Sequence, residues 1–348
     1  MAVFTATVTT VTREVIVPKV YDTTLQGNVG LLRLLGNAAP WRSGFRLDPI
    51  IKYQKSTAGG LVAVGGNLDT TRDTTRVKMQ FDPKRRSKPV VIDDLEEQLN
   101  KGDEQVLSLL ATEMDSLSQD LADDAGTDFY TGTGAGTAFD SILNASDDST
   151  NFSTYGSLAR ATYSHNGYLA TSVGTLALSD LSTFSNRIKV GQEKPTLILA
   201  DVTSWTAYEG LLQPTVQAGY QATGFPQVTR TGTVPSVRAL QGDLGFDAIW
   251  YRGTPVVEDE KCTSGYMFGL NEKYFKFYGV KIDKYENFNI TEDANVQGPQ
   301  AVPVPRGFNW TGLIESATQP ATVGHFYIIG DYVGVDPRRN GNLQGITG

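Results

Sequence analysis

The sequence predicts an α+β fold, and three patterns support this prediction. A long amphipathic helical pattern lies between residues 103 and 126, and two alternating stretches within 46–92 indicate a long β-hairpin. From residue 246 onward, strand patterns dominate. A chain of 348 residues is long enough for two or three lobes, each with its own core.

Composition narrows the class of protein. Hydrophobic residues make up 40% and charged residues 20%, the balance of a folded chain. The net charge of -8 argues against a protein that neutralises nucleic-acid phosphates. The single cysteine, Cys262, cannot form an internal disulfide. With no secretory signal or membrane-span pattern, we expect a cytoplasmic protein without membrane contact.

Residues 1–45 read as an N-terminal arm that mixes Thr-rich and Val-rich stretches with short helical pieces such as residues 30–35. Such a segment has too little apolar surface to fold alone, so we expect it to lie against its own chain or a neighbour.

Residues 46–92 read as an extended hairpin loop. The segments 50–55 and 75–81 alternate like strands, and the stretch between them contains Gly59, Gly60, Gly65 and Gly66. A two-stranded hairpin of this length is not stable alone. We therefore expect it to need a partner surface.

Two helix starts follow the hairpin. Asp93 and Asp103 are placed to cap helix N-termini, with acidic residues in the first turns. The second helix is predicted to be about 20 residues long and to end near Gly126. Its predicted buried face consists of Leu107, Leu110, Met114, Leu117 and Leu121.

The pattern leaves residues 127–177 undetermined. An α/β lobe follows: a helix capped by Ser179, a buried strand over 195–200, and a helix capped by Asp201. The remaining predicted strands are 246–251, 254–258, 266–270, 274–280, 308–315 and 325–335.

One motif carries a family resemblance. Residues 245–259 read Gly-Phe-Asp-Ala-Ile-Trp-Tyr-Arg-Gly-Thr-Pro-Val-Val-Glu-Asp, and residues 265–271 end in Leu-Asn. This resembles the closing half of major capsid proteins of tailed bacteriophages, where a strand ends in aromatic-x-Gly-x-Pro-Val-Val-x-Asp. The order of elements and the ending Asp336-Pro337-Arg338-Arg339-Asn340-Gly341 are similar to that family as well.

The resemblance implies the Hong Kong 97-like capsid fold, divided here as arm 1–45, extended loop 46–92, spine helix 93–130 of the peripheral domain, mainly axial domain 131–245, and strands 246–348 returning to the peripheral domain and C-terminal tail. It implies hexamers and pentamers in a closed shell around double-stranded DNA held without sequence-specific binding. The location implied is the virion capsid, assembled in the host cytoplasm. Because no long charged scaffold-like segment precedes residue 5, a separate scaffolding protein is expected. The resemblance also implies a portal protein, and it leaves open whether a decoration protein binds the shell.

Intersubunit contact is expected at the hairpin tip, the basic run and the acidic stretch after it. The candidate residues are Gly59, Gly60, Leu61, Val62, Val64, Arg76, Lys84, Arg85, Arg86, Asp93, Asp94, Glu96 and Glu97. For the basic run, contact with the acidic stretch of an adjacent subunit competes with a simple solvated turn.

The sequence offers no convergent catalytic set, so we expect no enzyme, cofactor or metal. The glycine-rich residues 132–136 follow a helix and lack a Gly-Lys-Ser/Thr, which favours a turn over a phosphate loop. His165 is expected to be a solvated loop residue and His325 a strand residue.

Three functions compete at this point. The first is the capsid shell, and the second is an encapsulin-like nanocompartment of the same fold. The third is a hydrolase or sugar-binding β-rich protein, suggested only by the Gly, Thr and Tyr content.

Overall fold

A computed structural model describes residues 28–41, 44–99, 109–222, 248–280, 307–312, 314–316 and 319–347. The α-helices in this part of the chain are α1 (Val29–Gly36), α2 (Asp94–Leu99), α3 (Leu109–Thr131), α4 (Ile142–Ser146), α5 (Arg160–Tyr163), α6 (Leu178–Ile188) and α7 (Val202–Ala222). A short 3-10 helix covers Pro337–Arg339.

The strands in the first half are β1 (Ala39–Pro40), β2 (Ile50–Lys52), β3 (Arg76–Lys78), β4 (Lys84–Asp93), β5 (Thr154–Tyr155), β6 (Leu158–Ala159), β7 (Tyr168–Ala170), β8 (Gly174–Thr175) and β9 (Leu197–Ala200). Those in the second half are β10 (Ala248–Tyr251), β11 (Thr254–Glu258), β12 (Met267–Leu270), β13 (Phe275–Gly279), β14 (Phe308–Trp310), β15 (Ile314–Glu315), β16 (Ala321–Gly334), β17 (Gly341–Leu343) and β18 (Ile346–Thr347).

The first sheet is organised around the long strand β16. Along one edge, β16 pairs in succession with β13, β14 and β15, and along the other edge it pairs with β4 over residues 321–330. β1 adds a parallel strand to β13. Residues of β4 alternate between buried or half-buried and exposed, which is the period-2 pattern of a sheet covered on one face.

Helix α3 covers that face of the first sheet. The Tyr332 hydroxyl donates to the Ala125 carbonyl at 3.1 Å, and the rings of Phe129 and Tyr332 lie 5.6 Å apart. Leu121, Phe129 and Tyr130 of α3 are buried in the same hydrophobic core as Phe275 and Tyr332. Aromatic contacts of this kind contribute beyond the apolar area that they bury.

The second sheet has the order β10-β11-β9-β12-β17-β7. β9 pairs in parallel with β11 and antiparallel with β12, and all four of its residues are buried. Because successive side chains point to opposite faces, Leu197 and Leu199 join one hydrophobic core while Ile198 and Ala200 join another. The second sheet therefore lies between the two cores.

The motif at the end of β11 ties the N-terminal helix to the core. The Asp259 carboxylate accepts a hydrogen bond from the Gly30 amide at 2.7 Å, and the Tyr130 hydroxyl lies at the same place. Burial raises the pKa of Asp259, and the Gly30 amide opposes this increase. Arg33, one turn further along α1, pairs with Glu272 at 2.5 Å. Residues 29–36 are thus a docked helix within the segment predicted to be an arm.

The α+β prediction is confirmed, with differences in detail. α3 continues to Thr131, beyond the end predicted at Gly126. A β-carbon on Gly126 would lie 2.0 Å from the Asn28 side chain, which donates to the Ala122 carbonyl at 3.0 Å. This glycine therefore serves close packing against the N-terminal segment rather than helix termination.

Several other predictions need correction or fall outside the described residues. Ser179 lies inside α6, whose preceding amide at Ala177 is capped by the Asp180 carboxylate. The strand predicted over 308–315 is two short strands that flank Gly312, whose φ is +77°. Leu121 is buried and Leu117 half-buried, as predicted. The side chains of Leu110 and Met114 lie outside those described, as do Leu107, Asp103 and residues 1–27.

His165 is buried rather than solvated. Only 5% of it is exposed, its Nε2 lies 3.3 Å from the Tyr155 carbonyl, and burial lowers its pKa. The neighbouring Arg160 is completely buried, and its guanidinium donates to the carbonyl oxygens of Asn144, Asp147 and His165. Sequence reasoning missed this arginine, which holds a loop that hydrophobic patterning could not predict.

Candidate assembly surface

The hairpin predicted from the alternating segments is present, and its base is a short antiparallel ladder. Ile50, Ile51 and Lys52 pair with Lys78, Val77 and Arg76 respectively. Ile51 and Val77 are half-buried against the larger core, while the residues on either side of each are exposed. The hairpin thus rests on its own chain by one face and presents the other face to solvent.

Beyond the ladder, two aspartates hold the limbs of the hairpin together. The Asp73 carboxylate accepts hydrogen bonds from the amides of Thr57 and Ala58 and from the hydroxyls of Ser56 and Thr57, at 2.5–3.0 Å. Asp69 accepts from the Gly59 amide at 2.8 Å across the hairpin and from both donors of Thr71. These carboxylates hold the two limbs together beyond the end of the backbone ladder.

The same hydrogen bonds keep both carboxylates ionised. The Thr71 hydroxyl, followed by the Gly59 amide, lowers the pKa of Asp69 to about 2. The Thr57 hydroxyl and amide lower the pKa of Asp73. Hydrogen bonds donated to a carboxylate favour its charged form. The limbs are therefore held by ionised groups throughout the neutral range.

The tip of the hairpin exposes apolar side chains. Leu61 and Val64 have relative exposures of 108% and 109%, and Leu68 of 79%. Val62 is 44% exposed, and the tip bends at Gly59 and Gly65, where φ is +89° and +84°. Only glycine adopts such angles without strain. The predicted contact residues Gly59, Gly60, Leu61, Val62 and Val64 all lie here.

The strand that returns from the hairpin begins at a buried charge cluster, which we call the charge triad: Lys84, Asp140 and Asp331. The Lys84 ammonium lies 3.3 Å from the Asp140 carboxylate and 3.2 Å from that of Asp331, and it also donates to the Gly134 carbonyl. Gly134 belongs to the glycine-rich turn after α3 and has φ +71°. That turn therefore serves the triad, and its tight packing against Asp140 leaves no room for a side chain.

Other basic residues of β4 are matched by α3. Arg86 makes two hydrogen bonds of 2.6 Å to the Asp128 carboxylate and a third to Asp124, and Lys88 pairs with Asp124 at 3.0 Å. The Asp128 hydrogen bonds raise the pKa of Arg86. Arg85 points the other way, with its guanidinium 5.1 Å from the Tyr327 ring centroid. Lys84 and Arg86 thus have carboxylate partners in their own chain.

The acidic stretch lies at the far end of β4 and in α2. The Asp93 carboxylate accepts from the Leu95 amide at 2.8 Å and caps the helix, as predicted. Asp93, Asp94 and Glu96 are exposed. Glu97 belongs to α2, but its side chain is not among those described.

Sequence patterns did not single out Asp69, Asp73, Asp140 or Asp331 as important. Asp69 is followed two residues later by a threonine, a local signal for a side chain that bonds its own backbone. Lys84, the cation that pairs with Asp140, is 56 residues away, and the Asp140 amide that donates to Asp331 is 191 residues away, so no local signal could reveal the triad.

The described residues contain no group of three or more His, Cys, Asp or Glu side chains placed to hold a metal ion. Within that same part of the chain, no helix is long and apolar enough to cross a membrane.

Comparison with solved structures identifies similar folds. The cyanophage A-1(L) capsid asymmetric unit matches over 99% of this chain and 99% of its own, with a TM-score of 0.69 and 14% identity. The SrpI encapsulin from Synechococcus elongatus PCC 7942 matches over 99% and 95%, with a TM-score of 0.58 and 10% identity. The capsid of a native GTA particle matches over 97% and 96%, with a TM-score of 0.58 and 8% identity.

No sequence-family profile and no curated protein matches this chain.

Proposed function

We propose that this chain, which has the Hong Kong 97-type capsid fold, is the major capsid protein of a tailed phage and builds a closed head shell around double-stranded DNA. The fold itself covers nearly the whole chain in each comparison. Because the comparisons concern the fold, the proposed function depends on the exposed surfaces of this chain.

The observation that carries the proposal is the hairpin tip. A soluble monomer rarely presents large apolar side chains together at full exposure, because water penalises them. Here Leu61, Val64 and Leu68 stand on a projection whose limbs are held in place by Asp69 and Asp73. A projection held in shape before binding loses less entropy when it docks. We infer that the tip lies on an adjacent subunit.

The proposal gives each segment of the chain a role in the shell. Residues 46–92 act as the intersubunit loop, residues 93–130 as the spine of the peripheral domain, and residues 131–245 mainly as the axial domain. Residues 246–348 return strands to both. Within the arm 1–45, α1 lies against its own chain.

A shell of this kind implies partners. Hexamers and pentamers of the chain close the shell in the host cytoplasm, a separate scaffolding protein sets its size, and a portal protein occupies one vertex. The acidic chain, with a net charge of -8, suits a wall that does not grip packaged DNA. A decoration protein on the outer surface is compatible with this arrangement. The role is structural and not enzymatic.

An encapsulin-type compartment is the alternative, because the SrpI encapsulin shares the fold. The cyanophage capsid has the higher TM-score, 0.69 against 0.58, which favours the phage assignment. Portal and terminase genes beside this gene would support the phage capsid, and a cargo-enzyme gene would support the compartment.

Removal of the tip tests the proposal. Replacement of residues 58–72 by a short Gly-Ser turn should leave far-UV circular dichroism nearly unchanged, since the tip adds nothing to the core. Burial of about 300 Å² of apolar surface contributes roughly 7 kcal/mol before ordering costs, at about 25 cal/mol per Å². We expect folded, unassembled subunits by size-exclusion chromatography and no closed shells by electron microscopy.

A matched control changes the same tip without removing its apolar side chains. Ala63→Ser with Asn67→Ser should assemble like the parent protein. Normal particles from the shortened hairpin would exclude an intersubunit role for the tip.

A further inference from the structure

The outward face of the hairpin ladder carries positive charges that have no ion pair in the described part of the chain. Lys52 lies directly opposite Arg76, and Lys78 lies opposite Ile50 on the same side. All four residues are exposed. Lys55 and Arg72, also exposed, lie further along the limbs. We call Lys52, Arg76 and Lys78 the basic face.

This lack of partners is selective. Immediately below the ladder, Arg46 pairs with Asp82 at 2.6 Å, and on the returning strand Lys84, Arg86 and Lys88 all have carboxylate partners. Like charges directly opposite each other on paired strands destabilise the pairing. The basic face therefore costs the isolated subunit some stability, which a negatively charged partner would offset.

The chain also presents a negative surface without counter-ions. Asp93, Asp94 and Glu96 are exposed at the end of β4 and the start of α2, and none forms an ion pair with another described residue. Glu315, on β15 at the opposite edge of β16 from β4, is exposed as well. We call these four residues the acidic tip.

Apolar side chains beside the basic face indicate the kind of partner. Ile50 is 61% exposed on that face, and Phe45, at the foot of the hairpin, is 80% exposed. A nucleic-acid backbone would offer phosphates but no apolar surface for these side chains. The acidic tip offers Leu95 and Val91, exposed by 65% and 53%. Charge and apolar surface thus match on both sides.

We propose that the basic face of the hairpin docks on the acidic tip of a second copy of this chain. This inference rests on the proposed shell function and names the surface that receives the hairpin. It also replaces the expected partner of the acidic stretch: Lys84 and Arg86 are engaged within their own chain, whereas Lys52, Arg76 and Lys78 are available.

Zero-length cross-linking of the unaltered protein tests the contact. A carbodiimide joins a lysine to a carboxylate only when the two already touch. Subunits grown in ¹⁴N and ¹⁵N media are mixed before assembly and the particles are treated, digested and examined by mass spectrometry. We expect Lys52 or Lys78 joined to Asp93, Asp94, Glu96 or Glu315, with mixed-isotope pairs that show the link to be between copies.

Links from these lysines only to other carboxylates, or no links, would overturn the proposal even if particles form. Particle formation itself reports on the shell function, so the two failures are distinguishable. DNA-dependent protection of the same lysines, without intersubunit links, would instead indicate a nucleic-acid partner and would also overturn the proposal.

Charge reversal with rescue gives a second, independent test. Lys52→Glu with Arg76→Glu should raise the subunit concentration needed for assembly at least tenfold, and Asp94→Lys with Glu96→Lys should do the same. The chain that carries all four changes should regain assembly. Arg187→Glu with Lys189→Glu, the same charge change on and beside α6, is the control and should assemble normally. Failure of the fourfold variant to improve on either pair, with all chains folded by circular dichroism, would contradict the contact.

Discussion

The charge triad places one cation against two carboxylates inside the larger core. Asp331 is completely buried, and its other carboxylate oxygen accepts hydrogen bonds from the amides of Asp140 and Tyr332. Burial is the main cause that raises the pKa of Asp331 to about 8, repulsion from Asp140 adds to it, and Lys84 opposes it. The raised pKa favours the protonated form of the Asp331 carboxyl, which reduces the repulsion between it and Asp140.

The raised pKa predicts a pH dependence of subunit stability. The folded-state pKa of about 8 lies above the ordinary value of 3.8. The protonated Asp331 carboxyl therefore stabilises the folded subunit fully below pH 3.8, and this contribution is lost as the pH rises to 8. Asp331→Asn removes this titration. Relative to the variant, the parent should lose about 1.4 kcal/mol of unfolding free energy per pH unit within that window. Urea unfolding of dilute, unassembled subunits at pH 5, 6 and 7 measures it.

Asp82→Asn is the matched control, because it removes an exposed carboxylate of the Arg46 pair and leaves the triad intact. Its pH dependence should follow that of the parent protein. Equal slopes for the parent and Asp331→Asn would show that the carboxyl is ionised throughout.

At the scale of elements, the sequence predicts pieces whose signals are local. The hairpin strands, the buried strand β9 and the cap at Asp201 were predicted because alternation and capping act over a few residues. The end of α3 and the cap of α6 were predicted wrongly. Gly126 is used to accommodate Asn28, which is 98 positions earlier in the chain, and sequence pattern alone cannot reveal that contact. Among the candidate contact residues, the exposed tip and acidic stretch were anticipated, whereas the internal partners of Lys84 and Arg86 were not.

The Gly126 contact predicts a change of sign in a double-mutant cycle. Gly126→Ala alone should destabilise the subunit, because the new methyl group displaces the Asn28 side chain from the Ala122 carbonyl. In an Asn28→Gly background the same change should stabilise by about 1 kcal/mol, the ordinary helix preference for alanine over glycine. Urea unfolding of the four proteins provides the measurement. Stabilisation by Gly126→Ala in both backgrounds would mean that Asn28 does not occupy this space.

At the scale of the whole molecule, one sheet joins the two cores. β17 lies between β12 and β7. Leu343 and Ile346 are buried in the core that also contains Ile198 and Ala200. Loss of a central strand leaves two neighbours with unpaired backbone groups and a gap in the core. The stability of the second sheet, and of the core that contains Leu343, therefore depends on residues near 343.

Truncation tests that dependence. A chain ending at Asn340 loses β17 and β18 and should yield almost no soluble subunit. A chain ending at Gln344 keeps β17 and should remain soluble, with a lower free energy of unfolding because Ile346 is absent. The soluble fraction after expression and far-UV circular dichroism are the readouts. Equal solubility of the two truncated chains would show that β17 is dispensable.

The position of β17 near the end of the sequence also delays completion of the second sheet during protein synthesis. Strand β7 emerges from the ribosome about 170 residues before its sheet partner β17. At roughly 5–20 residues per second, that interval lasts on the order of 10–35 s. Throughout it, β7 lacks the strand that pairs with it, and β12, once made, also has an unpaired edge. A nascent chain of this protein is therefore a natural client for chaperones, and a premature stop codon near its 3′ end should send it to proteolysis instead of into a particle.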